Sequence, residues 1–179
     1  MFSNILRFTA SPLVIATAAL FSISTANATD NSQFFDAALC QPAYTTKAAS
    51  HLYDEAEKVS KYELVGIMAV YPLPEPVTKD GFSTKEMVLV GSSYGVLIEG
   101  NKADELAKAF NLTPEPKHPM IVATKSYVRV LDDADQPSPE MGSVAITARE
   151  SNGIPGKTLL SCEFTSFADI EAMKAMANN

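Results

Sequence analysis

Residues 91–95, Gly91-Ser92-Ser93-Tyr94-Gly95, carry the G-x-S-x-G spacing. In hydrolases that spacing puts a serine on a strained turn between a strand and a helix, with its oxygen exposed and an oxyanion-hole amide behind it. A strand-like run, residues 86–90, precedes it here as required. The residues that follow, Val96-Leu97-Ile98-Glu99, read as a second strand, and no helical pattern starts before Lys102. His118 is the one histidine downstream of Ser93, and an acid between them has to come from Glu99, Asp104, Glu105 or Glu115. The flanks therefore predict a hairpin turn with permissive glycines and an ordinary Ser93. A serine hydrolase using Ser93 with His118 stands third among the functional readings.

Other groupings carry weaker chemistry. His51, Asp54 and Glu55 fall at i, i+3 and i+4 of a predicted helix, a spacing that presents nitrogen and oxygen ligands on one face. A metal would need further ligands, and the same pattern also describes a solvated charged face. Asp132, Asp133, Asp135 and Glu140 form an acidic stretch that lacks the glycine of a calcium loop and is interrupted by Pro137 and Pro139. It reads as a solvated loop able to meet a basic partner. Tyr71, Tyr94, Tyr127 and Arg129 either line a groove or finish the rims of a sheet. Pro72, Pro74 and Pro76 alternate in an extended segment that either serves as a recognition surface or protects an edge. No phosphate-cradling loop, dinucleotide fingerprint or H-E-x-x-H pattern occurs, so no cofactor and no metal is expected.

The elements that must carry these residues are legible from periodicity. Ala49, Leu52, Ala56 and Val59 place an apolar stripe on a helix over residues 46–62, with Asp54/Lys58 and Glu57/Lys61 as i,i+4 pairs. Residues 64–71 are a continuous apolar run, predicted as one buried strand. Asp80-Gly81 signals a hairpin turn. Strand, turn, strand and helix then follow across residues 85–112, the last with Asn101 and Asp104 as its cap. Strands are predicted over 120–124, 126–131, 142–149 and 158–164. A weakly packed helix follows, capped by Ser166 with Asp169. The connections are short, which favours antiparallel pairing. The fold class is α+β, one domain with a mainly antiparallel sheet and helices packed on one face.

Residues 1–28 are set apart. Arg7 precedes an apolar run of 11 residues, 13–23, and Ala26-Asn27-Ala28 ends it in the small-x-small arrangement of a signal peptidase site. A membrane span needs roughly 20 apolar residues, so this run is short for an anchor. The predicted domain is residues 29–179. Losing Arg7 with the leader takes the net charge from −7 to −8. An acidic body is repelled by phosphate backbones and anionic lipid heads, so neither nucleic acid nor stable membrane insertion is expected. Cys40 and Cys162 are the two cysteines, and export to an oxidising compartment predicts that they pair.

These features predict a small exported protein, periplasmic or extracellular, that binds without catalysing. Its expected partner is another exported or envelope protein, basic in character, met through Pro72, Pro74, Pro76, Asp132, Asp133, Asp135 and Glu140. The inhibitor, immunity-type and envelope accessory roles all suit such a body. The alternative is a small-ligand carrier with a pocket between the helix at 46–62 and the sheet. Intact mass spectrometry of the exported product should find Thr29 as its first residue and two hydrogens missing for one disulfide. A product retaining residues 1–28 contradicts the leader.

Overall fold

In the computed structural model, residues 31–117 and 122–177 are described. The predicted leader, His118 and the first two residues of the strand expected at 120–124 lie outside them. Val122 to Thr124 are not in a strand.

Two helices come first. α1 (Ser32–Ala38) buries Phe34, Phe35, Ala37 and Ala38. α2 (Thr46–Val59) begins where the Thr45 hydroxyl accepts the Ala48 N–H at 3.0 Å, and it buries Leu52 and Ala56 from the predicted stripe. It stops at Val59 because Ser60 is already extended. Its ion pairing differs from the expected i,i+4 pattern. Lys58 binds Glu55 at 2.6 Å, and Glu57 accepts the Tyr71 hydroxyl at 2.9 Å. That second bond draws Glu57 to the sheet.

The apolar run at 64–71 is two strands, not one. β1 (Glu63–Val65) and β2 (Met68–Lys79) reverse at Gly66, whose φ of +62° suits a tight turn. Leu64 and Ile67 are consequently exposed. Pro72, Pro74 and Pro76 continue β2 past the end of β1, all three exposed, with a register shift between Pro72 and Val77. Alternate residues of a strand aim their N–H groups the same way, so prolines at alternate positions strip the donors from one side of this segment. Asp80 and Gly81, both at positive φ, turn the chain into β3 (Phe82–Val90), as the Asp-Gly pair predicts.

β4 (Ser93–Glu99) returns beside β3, and α3 (Ala103–Phe110) follows at once. The expected Asn101 cap is not used. The Lys102 N–H is taken by Thr158 Oγ1 at 2.7 Å and the Ala103 N–H by Glu150 Oε1 at 2.9 Å, so the sheet itself caps the helix. β5 (Thr113–Pro114), β6 (Lys125–Val130), β7 (Gly142–Glu150), β8 (Lys157–Ser166) and α4 (Phe167–Ala177) complete the chain. The Ser166 hydroxyl accepts the Asp169 N–H at 3.1 Å and donates to the Asp169 carboxylate, which is the predicted cap.

The eight strands form one antiparallel sheet in the order β1-β2-β3-β4-β8-β7-β6-β5. The α+β class therefore stands. β8 lies in the middle and joins the meander β1–β4 to β5–β7. On one face Tyr71, Met87, Tyr94, Val96, Ile146 and Leu160 pack against α1, α2 and α3. A fully buried side chain of this size contributes about 1.5–3 kcal/mol. Cys40, just past α1, is bonded to Cys162 on β8 as predicted, with Cα atoms 5.0 Å apart. Among the described residues no helix is long and apolar enough to cross a membrane.

Gly95 is not a turn residue. It sits inside β4, opposite Ser161. A Cβ there would meet the Leu160 carbonyl oxygen at 2.3 Å and the Ser161 Cα at 2.9 Å, both backbone atoms that cannot step aside. Gly91 is the turn glycine, at φ +54° with open space around it. Gly95→Ala should lower unfolding free energy by about 3 kcal/mol and Gly91→Ala by about 1 kcal/mol, read from urea denaturation. Equal effects would contradict the close approach at Gly95.

Candidate functional site

The second face of the sheet is where the structure concentrates polar chemistry. Gly95, Ser161 and Thr147 lie side by side across β4, β8 and β7. Ser161 and Thr147 are buried and share a 2.8 Å hydrogen bond. Arg149 pairs in register with Leu159, and Glu163 with Ala145, four pairs further along the ladder. The Arg149 guanidinium reaches past the small pair and binds Glu163 Oε2 at 2.6 Å through Nη1. It binds Glu115 twice, through Nε at 2.8 Å and Nη2 at 2.6 Å. Small residues at 95, 147 and 161 leave room for a long side chain lying flat.

The triad is well enclosed: the Glu115 side chain keeps 9% of its exposure and that of Arg149 18%. Burial alone lowers the Arg149 pKa, but the hydrogen bond to Glu115 and the charges of Glu163 and Glu115 more than reverse this and raise it. The guanidinium stays charged, and its charge is spent on two carboxylates.

Beside this triad a cleft of about 450 Å³ opens between the sheet and α4. The sheet side presents Arg149, Leu159, Glu163 and Thr165, with Ile154 from the β7–β8 connection. α4 presents Asp169, Ala172, Met173 and Met176. α4 thus lies against the face opposite the other three helices. That volume suits a small molecule, and a mostly apolar wall with a few fixed polar groups is the usual make-up of such a site.

The residues singled out by sequence are distributed differently. Ser93 opens β4, is buried, and donates its hydroxyl to the Val90 carbonyl at 2.7 Å. No helix follows it, as expected. His51 is exposed and 4.0 Å from Glu55, whose nearer partner is Lys58. Among the described residues no group of three or more His, Cys, Asp or Glu is placed to hold a metal. Tyr71 and Tyr94 are fully buried, so neither finishes a rim; Tyr94 donates to the Pro42 carbonyl at 2.8 Å. Tyr127 binds Asp104 of α3, and Arg129 caps α3 through the Phe110 carbonyl at 3.1 Å. These four are structural.

Asp132, Asp133, Asp135 and Glu140 are all exposed, with Asp133–Asp135 in one 3-10 turn. Gln136 pins this loop by bonding both the N–H and the carbonyl of Val144. The proline segment and the acidic loop are not one surface. β3, β4, β8 and β7 separate β2 from β6, about 24 Å at the strand spacing of a sheet. Leu52 and Ala56 pack part of the space expected between α2 and the sheet, and a hollow of about 370 Å³ remains there, between Ala49, Tyr53 and Asp54 of α2 and Leu89 and Ser93 of the sheet. Sequence reasoning missed Arg149, Glu163 and Gln136, and weighed Glu115 only as an acid for Ser93 and His118. One signal was present: Arg149 and Glu163 are the only charged residues of the strands predicted at 142–149 and 158–164.

Comparison with protein-family models, curated proteins and solved structures finds no match.

Removing the guanidinium leaves Glu115 enclosed without a counter-charge. Arg149→Met should cost about 3–5 kcal/mol of stability. Adding Glu115→Leu to Arg149→Met should recover part of the loss. Arg149→Lys should fall between, because a point charge cannot serve two carboxylates in fork geometry. Chemical denaturation of the four proteins checks this; an undisturbed Arg149→Met would show that the network contributes nothing.

Proposed function

We propose that this chain is an exported, non-catalytic binding protein that holds a small ligand between α4 and the second face of its sheet. The observation that carries the reading is the cleft of about 450 Å³, whose wall combines apolar side chains with the Arg149–Glu163 ion pair and Asp169. The Cys40–Cys162 bond suits an oxidising location. The Ser93 hydroxyl, turned onto Val90 at the start of a strand, supports the absence of serine catalysis.

We place the carrier reading at the α4 cleft, about 450 Å³, ahead of the hollow at α2, about 370 Å³. The protein-contact reading rests on the exposed acidic loop, whose four carboxylates would attract a basic exported or envelope partner. The proline segment lies about 24 Å from that loop across the sheet, so a partner meeting both has to span that distance.

The test uses a neutral apolar fluorophore, N-phenyl-1-naphthylamine. It should bind saturably, one per chain. Ala172→Trp, at an exposed α4 position lining the cleft, should abolish binding without unfolding the protein. Binding that is absent in the parent protein, or that survives Ala172→Trp, overturns the assignment.

A further inference from the structure

The charge of the cleft selects among ligands. Among the described residues Arg149 is the one cation in its wall, and two carboxylates already claim it. Glu163 and Asp169, the carboxylates of the wall, outnumber it by one. Lys174 on the same helix is bound to Glu171 and does not line the cleft. Low-dielectric walls focus the field of such an imbalance toward the space between them. Glu163 gives Oε2 to Arg149, and Asp169 takes the Ser166 hydroxyl on Oδ2. A carboxylate has about four acceptor sites, so each retains capacity for a donor on a ligand.

The apolar part of the wall is equally particular. Ile154 and Leu159 on the sheet side face Met173 and Met176 of α4. Methionine side chains are flexible and polarizable, and they accommodate varied aliphatic shapes. Some polar groups near the triad are spent internally: Ser92 Oγ donates to the Phe164 carbonyl, and Thr147 and Ser161 bind each other, while Ser151 and Thr165 also line the cleft. What the cleft offers is an aliphatic slot with surplus negative charge at its polar floor.

We propose that the ligand is a cationic amphiphile, an ammonium group on an aliphatic body, with its head at Glu163 and Asp169 and its chain between Leu159 and the α4 methionines. This rests on the cleft reading above and narrows it. An anionic amphiphile of the same length meets the same apolar wall but the wrong charge. A neutral one lacks the charge-assisted bond.

Isothermal titration with n-octylamine, n-octanol and sodium octanoate separates these cases. n-Octylamine should bind about tenfold tighter than n-octanol, the equivalent of one charge-assisted hydrogen bond, and octanoate weakest. Raising the salt should narrow the gap. Asp169→Asn keeps an acceptor for the Ser166 cap and should remove most of the preference while leaving n-octanol unchanged. Glu163→Gln should do the same, with Asp169→Asn deciding if Glu163→Gln fails to fold. Equal affinity for n-octanol, a preference for octanoate, or a preference untouched by Asp169→Asn overturns the ligand class and leaves the cleft standing. Failure of all three ligands also overturns the class, and the fluorophore experiment then decides on the cleft itself.

Discussion

The bond between Cys40 and Cys162 holds the helical layer to the middle of the sheet. It links residues 122 apart, and in the chain-entropy description closing such a loop is worth about 4–5 kcal/mol. Cys162 is on β8, fully buried, between Tyr94 of β4 and Ile146 of β7. Cys40 follows α1 with φ at +59°, a conformation that costs an L-residue about 1–2 kcal/mol. The covalent tie keeps it there. The hydrogen bond from Tyr94 to Pro42, two residues on, fixes the same segment a second time, and Tyr44 stacks over Tyr94 at 5.2 Å. Remove that anchor and α1 is left with its four buried side chains and the Asp36–Lys79 ion pair to β2.

The two faces of the sheet are built on different terms. The helix-covered face is a continuous apolar layer. The other has a small apolar cluster at Val70, Val88 and Leu97, and then a strip of minimal side chains over which Arg149 lies. Buried ion networks seldom add net stability over a hydrophobic filling, because desolvation consumes most of the attraction. The Arg149 network therefore owes its place less to net stability than to the fork geometry that ties the Glu115 segment to β7 and β8.

What the sequence disclosed and what it withheld follow one physical division. Local signals were readable: the stripe of Leu52 and Ala56, the Asp80-Gly81 turn, the Ser166–Asp169 cap and the extended prolines each depend on neighbours within a few residues. So was the disulfide, because only one intramolecular pairing exists. Non-local placement was not readable. Nothing near Asn101 announces that Thr158 and Glu150 will take the N–H groups of α3. Residues 64–71 read as one strand because their apolar run outweighs Gly66, and only the sheet shows that their outer end has nothing to cover it. Gly95 shows both sides of this. Its spacing from Ser93 looked like a catalytic elbow, and its true constraint is the backbone of β8, more than sixty residues away. The ion triad draws on β7, β8 and the segment after β5, so no window of sequence contains it.

The position of β8 has a temporal consequence. It is the last of the eight strands to be synthesised, yet it sits between β4 and β7. The meander β1–β4 can assemble early from local hairpins, but its inner edge stays open until β8 arrives. β5–β7 likewise have no connection to it by strand pairing. Long-range pairings of this kind slow folding, since loop-closure entropy is spent before the contacts form. The sheet of this chain is therefore complete only once its final strand has been made, and until then β4 and β7 each keep an open edge.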